Sequence, residues 1–252
     1  METRKTLVTA AGGNGTAIEI IDEPLSRGEY ASRGKRLGDD FEKLGAEQAG
    51  FLVLGENHFE MAGGEFCGNA TRSAAVLLYQ ETGAENVFFT VSGFDGTVHA
   101  TVQSTNATTF FVEAMFPGMN AKMKDVVLDD GSSATVVDLG GIVHVVIMAE
   151  FPSDPDVYKV QHRAIVERFN FSDRDAVGVV WCQEQGDSIL MHPVVWVRAI
   201  DTFFYETSCG SGTIAVGKVT GISSIIQPSG KIISADITED GIVLKSEMEL
   251  VS

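Results

Sequence analysis

Two short segments hold cysteine in the same setting: Glu65-Phe66-Cys67-Gly68-Asn69-Ala70-Thr71 and Glu206-Thr207-Ser208-Cys209-Gly210-Ser211-Gly212-Thr213. In each, glycine and a small polar residue follow the cysteine, and an Ala/Val-rich helical pattern begins there. A side chain at the mouth of a helix meets unpaired backbone N–H groups and the positive end of the helix dipole. That placement predicts a lowered thiol pKa at Cys67 and Cys209, since it favours the thiolate. A glycine-bearing helix mouth is also a cradle for a carboxylate. Two such mouths face to face would hold one carboxylate, with a sulfur on either side of the adjacent carbon. One thiolate could then remove the α-proton while the opposite thiol delivers another, and N–H donors would stabilise the developing enediolate. Nothing in that scheme calls for a cofactor.

The remaining residues narrow the alternatives. Cys182, in Val179-Val180-Trp181-Cys182, reads as a small core hydrophobe. Three cysteines without CxxC spacing speak against a disulfide framework or a zinc ribbon. His58, His99, His144, His162 and His192 show no paired metal spacing, so no metal site is expected. Gly210-Ser211-Gly212-Thr213-Ile214-Ala215 fits G-x-G-x-x-A, but with no strand expected ahead of it a dinucleotide site is disfavoured. There is no G-K-[ST] phosphate loop, and no lysine stands out as a pyridoxal phosphate anchor.

Both motifs must be positioned by a chain of 252 residues, 44% hydrophobic and 21% charged, ample for a packed core. Against 18 Lys+Arg stand 35 Asp+Glu, a net charge of -17 that disfavours nucleic acid and anionic membrane partners. No apolar run reaches the roughly 20 residues of a membrane span, and Leu7-Val8-Thr9-Ala10 after Met1-Glu2-Thr3-Arg4-Lys5 is too short for a secretory signal. A cytoplasmic location with reduced thiols is the default expectation.

The elements read as mixed α/β. Strands are expected at Thr6 to Thr9, Ala17 to Ile21, Gly50 to Leu54, Phe88 to Val91, Ile142 to Met148, Ala176 to Trp181 and Val194 to Ile200, with hairpin strands from Ile225 on. Helices are expected over Ser26 to Leu44, with Tyr30, Leu37, Phe41 and Leu44 on one face, and over Gly68 to Thr82, stopped by Gly83. A third, opened by Ser153-Asp154-Pro155, carries Val157, Val160, Ile165, Val166 and Phe169, and a fourth spans Gly210 to Val219. The turn-rich Met119 to Lys124 is the expected boundary between domains 1–118 and 119–252.

The two cysteine motifs resemble those of the diaminopimelate epimerase superfamily, and within it the cofactor-independent bacterial histidine racemases. Looser echoes at Gly13-Asn14, Glu47-Gln48 and Gln227-Pro228-Ser229-Gly230 extend the likeness over nearly the whole chain. The resemblance implies two pseudo-symmetric α/β (α+β) domains, each a mixed sheet wrapped around a central helix, with the active site between them. It implies a return of the last strand, about 242–252, to the first domain, and a homodimer. It implies Cys67 and Cys209 as acid and base, Gly68-Asn69 and Gly210-Ser211 as the carboxylate site, and Asn14 and Gln48 lining the reacting end. An acidic residue for the substrate ammonium is implied just before the second cysteine, with Asp201 and Glu206 as candidates. Diaminopimelate epimerases carry Asn-Pro-His where this chain has Ile142-Val143-His144, and an arginine about where Thr202 stands. Both departures disfavour a second carboxylate on the substrate, so the resemblance points to histidine.

Other readings remain open at this stage. One is a racemase or epimerase for another amino acid, diaminopimelate or proline-type. Another is a phenazine-type isomerase, whose chemistry uses a carboxylate and fits two cysteines poorly. A third is a silent amino-acid-binding protein or thiol redox sensor.

Overall fold

The computed structural model describes residues 4–251; Met1 to Thr3 of the leader reading and Ser252 of the expected last strand lie outside the described residues. The first half runs β1 (Arg4–Ala10), β2 (Gly13–Ile21), α1 (Arg27–Phe41), β3 (Ala46–Val53), β4 (His58–Met61), α2 (Gly68–Thr82), β5 (Asn86–Val91), β6 (Phe94–Ser104) and β7 (Thr109–Pro117). The second runs β8 (Lys122–Val127), β9 (Ser133–Asp138), β10 (Val143–Ile147), α3 (Pro155–Arg168), β11 (Ala176–Gln185), β12 (Ser188–Val197), β13 (Thr202–Tyr205), α4 (Gly210–Thr220), β14 (Ser224–Ile226), β15 (Ile232–Ile237) and β16 (Gly241–Leu250). The turn expected at Met119 to Lys124 is therefore shorter, because Lys122 already begins β8.

The same topology recurs in both halves. An outer helix joins two parallel strands, β2 to β3 across α1 and β10 to β11 across α3. An inner helix joins two more, β4 to β5 across α2 and β12 to β14 across α4. Helical crossovers of this kind are what parallel pairing demands. Strand β16 pairs antiparallel with β7 and with β1, which closes β1 to β7 and β16 into a ring around α2. On the edge it shares with β1, β16 also pairs with β15 over Ile242 to Lys245, so one continuous sheet runs into the second half, where it wraps α4.

Enclosure explains the composition of the inner helices. Every residue of α2 from Gly68 to Leu78 is buried, as is every residue of α4 from Gly210 to Gly217. A helix buried on all sides carries no polar stripe, and Ala, Gly and Val keep it slim enough for a sheet to surround. Gly83 and Gly221, at φ 72° and 73°, end the two helices alike, each N–H bonding back to a carbonyl of the last turn. Outer helix α1 starts with a capping box between Ser26 and Glu29 and buries Tyr30 and Leu37. Leu44, expected on that face, is 53% exposed in a following turn of 3-10 helix. In α3 the buried face is Tyr158, His162, Ile165 and Val166. Val157 and Val160, carried on the same helix, are exposed.

Candidate active site

Both cysteines are N-caps. Cys67 has extended backbone (φ −133°, ψ 110°), and its sulfur accepts from the Ala70 N–H at 3.4 Å. Cys209 is nearly identical (φ −144°, ψ 109°), accepting from the Gly212 N–H at 3.3 Å. The first intrahelical bonds are Thr71 N–H to Cys67 O and Thr213 N–H to Cys209 O. The N–H groups of Gly68, Asn69, Gly210 and Ser211 therefore fall in the helix turns that have no intrahelical acceptor.

The two mouths touch. A methyl group added at Gly210 would stand 2.9 Å from Asn69 Oδ1, 3.0 Å from Asn69 N and 3.1 Å from the Gly68 carbonyl carbon. Only glycine allows that approach. Asn69 then ties the motifs together. Its Nδ2 donates to the Ser208 carbonyl (3.0 Å) and hydroxyl (3.2 Å), and its Oδ1 accepts from Arg72 Nη2 (2.6 Å). The Asn69 side chain is thus committed to the protein, and only its backbone N–H faces the task that the resemblance assigns it.

Polar chains reach each sulfur. On one side the Cys67 thiol donates to Gln48 Oε1 at 3.2 Å, and Gln48 Nε2 donates to Asn14 Oδ1 (2.6 Å) and Thr16 Oγ1 (2.9 Å). Asn14 holds a left-handed backbone, φ 43°, that asparagine tolerates better than most residues. Its N–H donates to Thr207 Oγ1 at 2.9 Å, and that hydroxyl donates to Glu47 Oε1 at 2.7 Å. On the other side Cys209 Sγ lies 3.6 Å from Ser211 Oγ, which lies 2.9 Å from Nε2 of the buried His144. The Cys209 N–H donates to Gln227 Oε1 at 2.8 Å.

Electrostatics reverse one expectation. Burial pushes the Cys67 thiol up to about 12, and the carboxylates of Glu206 and Glu65 push the same way. Cys209, only 3% exposed, is also raised well above the ordinary thiol value, by burial and then by Glu206. The helix mouths do pull both thiols down through the Ala70 and Gly212 N–H groups, but desolvation outweighs them. Three carboxyls around the sulfurs are raised too. Desolvation lifts Glu206 to about 8 and buried Glu65 to about 7, and Glu47 upward despite the Thr207 hydrogen bond. Oε2 of Glu47 and of Glu65 have no hydrogen-bond partner among the described residues. Such a site is electrostatically incomplete and suited to a cation.

Of the candidates for the ammonium, Glu206 faces Cys209, whereas Asp201 does not join the site. Asp201 is exposed in the turn between β12 and β13, at φ 48°, and accepts from Trp196 Nε1 at 3.1 Å. The turn that carries it requires a left-handed residue, which explains an aspartate there without chemistry. Strand β13 does stand ahead of the G-x-G-x-x-A run, contrary to expectation, but Glu206 to Cys209 intervene and the cysteine occupies the cap. Among the described residues no group of three or more His, Cys, Asp or Glu could hold a metal, and no helix is long and apolar enough to cross a membrane. Cys182 is buried in the core.

A closed β ring around one buried helix, a matching half around another, and cysteine-capped helix mouths in contact define an isomerase of the racemase and epimerase class. Over residues 16–249 the chain matches the family described as the histidine racemase CntK N-terminal domain, and it belongs to that family. A histidine racemase of Fusobacterium nucleatum subsp. nucleatum (strain ATCC 23726) is 27% identical over 220 residues, 83% of this chain and 81% of the relative. A histidine racemase of Staphylococcus aureus (strain Mu50) is 26% identical over 217 residues, 81% of this chain and 76% of the relative. A Pseudomonas aeruginosa structure described as a predicted epimerase shares the fold, with TM-score 0.66 and 13% identity over 100% of this chain and 98% of that one. The chain is an amino-acid racemase.

Sequence reasoning missed Glu65, Arg72, His144, Thr207 and Ser208 as parts of this site. Arg72 was within reach, one residue beyond the first motif; its burial was not.

Proposed function

We propose that this enzyme interconverts L- and D-histidine by a two-base transfer in which Cys67 and Cys209 act on opposite faces of the α-carbon. The observation that carries the reading is the contact of two cysteine-capped helix mouths, each sulfur bound by a first-turn N–H. The substrate carboxylate lies across the N–H groups of Gly68, Asn69, Gly210 and Ser211, at the positive ends of α2 and α4. Its ammonium meets the Glu206 carboxylate. That pairing removes the upward push that Glu206 adds to the larger one from burial, and so favours thiolate when substrate is present. One sulfur takes the α-proton as the C–H bond breaks, and the other thiol gives its proton to the opposite face. The negative charge passes from one sulfur to the other, and the chemistry needs no cofactor.

Histidine as the substrate rests on family membership and on the acidic surroundings, where Glu47 and Glu65 each keep an unpartnered oxygen. The division at residue 118, a cytoplasmic location that keeps both thiols reduced, and a homodimer belong to the same proposal. The test is proton NMR of L-histidine with enzyme in D₂O. Loss of the α-proton signal together with appearance of D-histidine is expected. Exchange confined to another amino acid would keep the chemistry and replace the substrate, and absence of exchange with any amino acid would refute the reading.

A further inference from the structure

Arg72 is fully buried on the second turn of α2, and among the described residues no carboxylate pairs with it. Its Nη2 donates to Asn69 Oδ1, while Nε and Nη1 have no hydrogen-bond partner. A guanidinium in that state is costly to keep unless it serves a charge that the resting protein does not display. Cys67 and Cys209, when ionised, both favour its cationic form. Asn69 fixes the geometry, since the amide that accepts from Arg72 also donates to Ser208, next to Cys209, and sits two residues from Cys67.

The geometry points to Arg72 as the shared counter-ion of the cysteine pair, a positioning residue that holds one negative charge on whichever sulfur carries it. The inference rests on the two-base reading and deepens it. During turnover one S–H bond forms as the other breaks, so the pair carries a single negative charge before and after. A fixed cation beneath the junction of both helix mouths serves either direction without moving. It also answers the groups that oppose thiolate. Glu206 from the loop before α4, Glu65 from the loop before α2 and Glu47 from β3 all bring negative charge or its possibility. His144 from β10 reaches Cys209 only through Ser211 and is held neutral by burial. Burial lowers Arg72 itself to about 10, which leaves it charged at neutral pH.

The test reads thiolate directly. Below the thiol pKa the rate of alkylation is proportional to the thiolate fraction, so the rate of iodoacetamide modification at half-buried Cys67, followed by mass spectrometry across pH 7 to 9, reports the counter-ion without turnover. Arg72→Gln keeps a donor for Asn69 but removes the charge, and a fall of about tenfold or more is expected, equivalent to a rise of one pKa unit or more. Arg72→Lys restores charge and is expected to stay within about threefold of the parent. A folded Arg72→Gln protein alkylated as fast as the parent would overturn the proposal. Should the glutamine protein not fold, the lysine protein decides: a tenfold loss in a folded Arg72→Lys protein would show that charge is not what the site requires. Parent enzyme that exchanges the α-proton of no amino acid in D₂O while the alkylation pattern holds would remove the two-base reading and leave the counter-ion standing.

Discussion

Replacing Glu65 with glutamine isolates the cost of keeping a carboxyl beside the two thiols. Glu65 is 5% exposed, its Oε2 has no partner, and burial moves it from 4.5 to about 7. That gap corresponds to about 3 kcal/mol of free energy at full development. Because the folded protein retains this proton where the unfolded chain has released it, the stabilising contribution is complete below the unfolded value and is lost as pH rises towards 7. Between pH 5 and pH 8.5 the parent protein should therefore lose about 2–3 kcal/mol that the variant does not lose. Glutamine has nearly the same shape and leaves a polar atom similarly placed, so any packing penalty is a constant offset, of about 1–3 kcal/mol at most. The raised groups Glu206 and Glu47 contribute to both proteins and largely cancel in the comparison. The assay is urea unfolding at pH 5, 6, 7 and 8.5, followed by circular dichroism and by the fluorescence of Trp181 and Trp196. The Glu65→Gln protein should gain on the parent steadily up to about pH 7 and then hold a constant lead. Two stability curves that run parallel across the whole interval would show that Glu65 is not a buried, raised carboxyl, and the account of the acidic surroundings would fall with it.

Cys67→Ser and Cys209→Ser should each lose racemisation by several orders of magnitude with unchanged circular dichroism, because a serine hydroxyl has no accessible anion; near-normal turnover by either protein would end the two-base scheme. Below about pH 8, kcat/KM should rise about a hundredfold per unit, since Glu206 and one thiol must each lose a proton to reach the productive form. In Glu206→Gln the slope should fall to about tenfold per unit, set by the thiol alone, while the residual rate drops; an unchanged slope in the variant would place the titration elsewhere. Gly178→Ala would set a methyl carbon 2.1 Å from His144 Nδ1 and 2.5 Å from its Cε1. The ring must move, at a cost of about 1–3 kcal/mol, and the contact with Ser211 is lost. A thermal shift of several degrees with reduced turnover is expected; full activity would show that the His144–Ser211 contact does not matter to Cys209.

Local chemistry was readable where it acts within one turn of chain. Cysteine, glycine and a small residue before an Ala-rich run placed the starts of α2 and α4 at Gly68 and Gly210, and Ser153-Asp154-Pro155 opened α3 at Pro155. Strands whose signal lies in weak alternation escaped. In β6 the buried positions are Val98, Ala100 and Val102, with threonine and histidine between them, and in β7 they are Phe110, Val112, Ala114 and Phe116. Alanine scarcely marks an apolar face, and β8, Lys122–Val127, is a charged edge strand with little face to mark.

The thiols show why the rest was out of reach. A helix mouth acts on its cap residue through N–H groups two or three residues away, so spacing alone predicts a fall in the pKa of Cys67 and Cys209. What raises them is burial within the ring of β1 to β7 and β16, and in the matching half, together with Glu206 and Glu65 brought in by folding. The sum has the opposite sign from its local part. On the two-base proposal, a resting enzyme with both thiols protonated resists oxidation and alkylation, and an ammonium that neutralises Glu206 removes one of the two upward pushes on the sulfurs, burial being the larger. Substrate binding and base activation are then one electrostatic event. Compounds that bring a carboxylate without an ammonium should accordingly occupy the helix mouths and leave the sulfurs inert to iodoacetamide, whereas amino acids should speed alkylation of whichever thiol they do not cover.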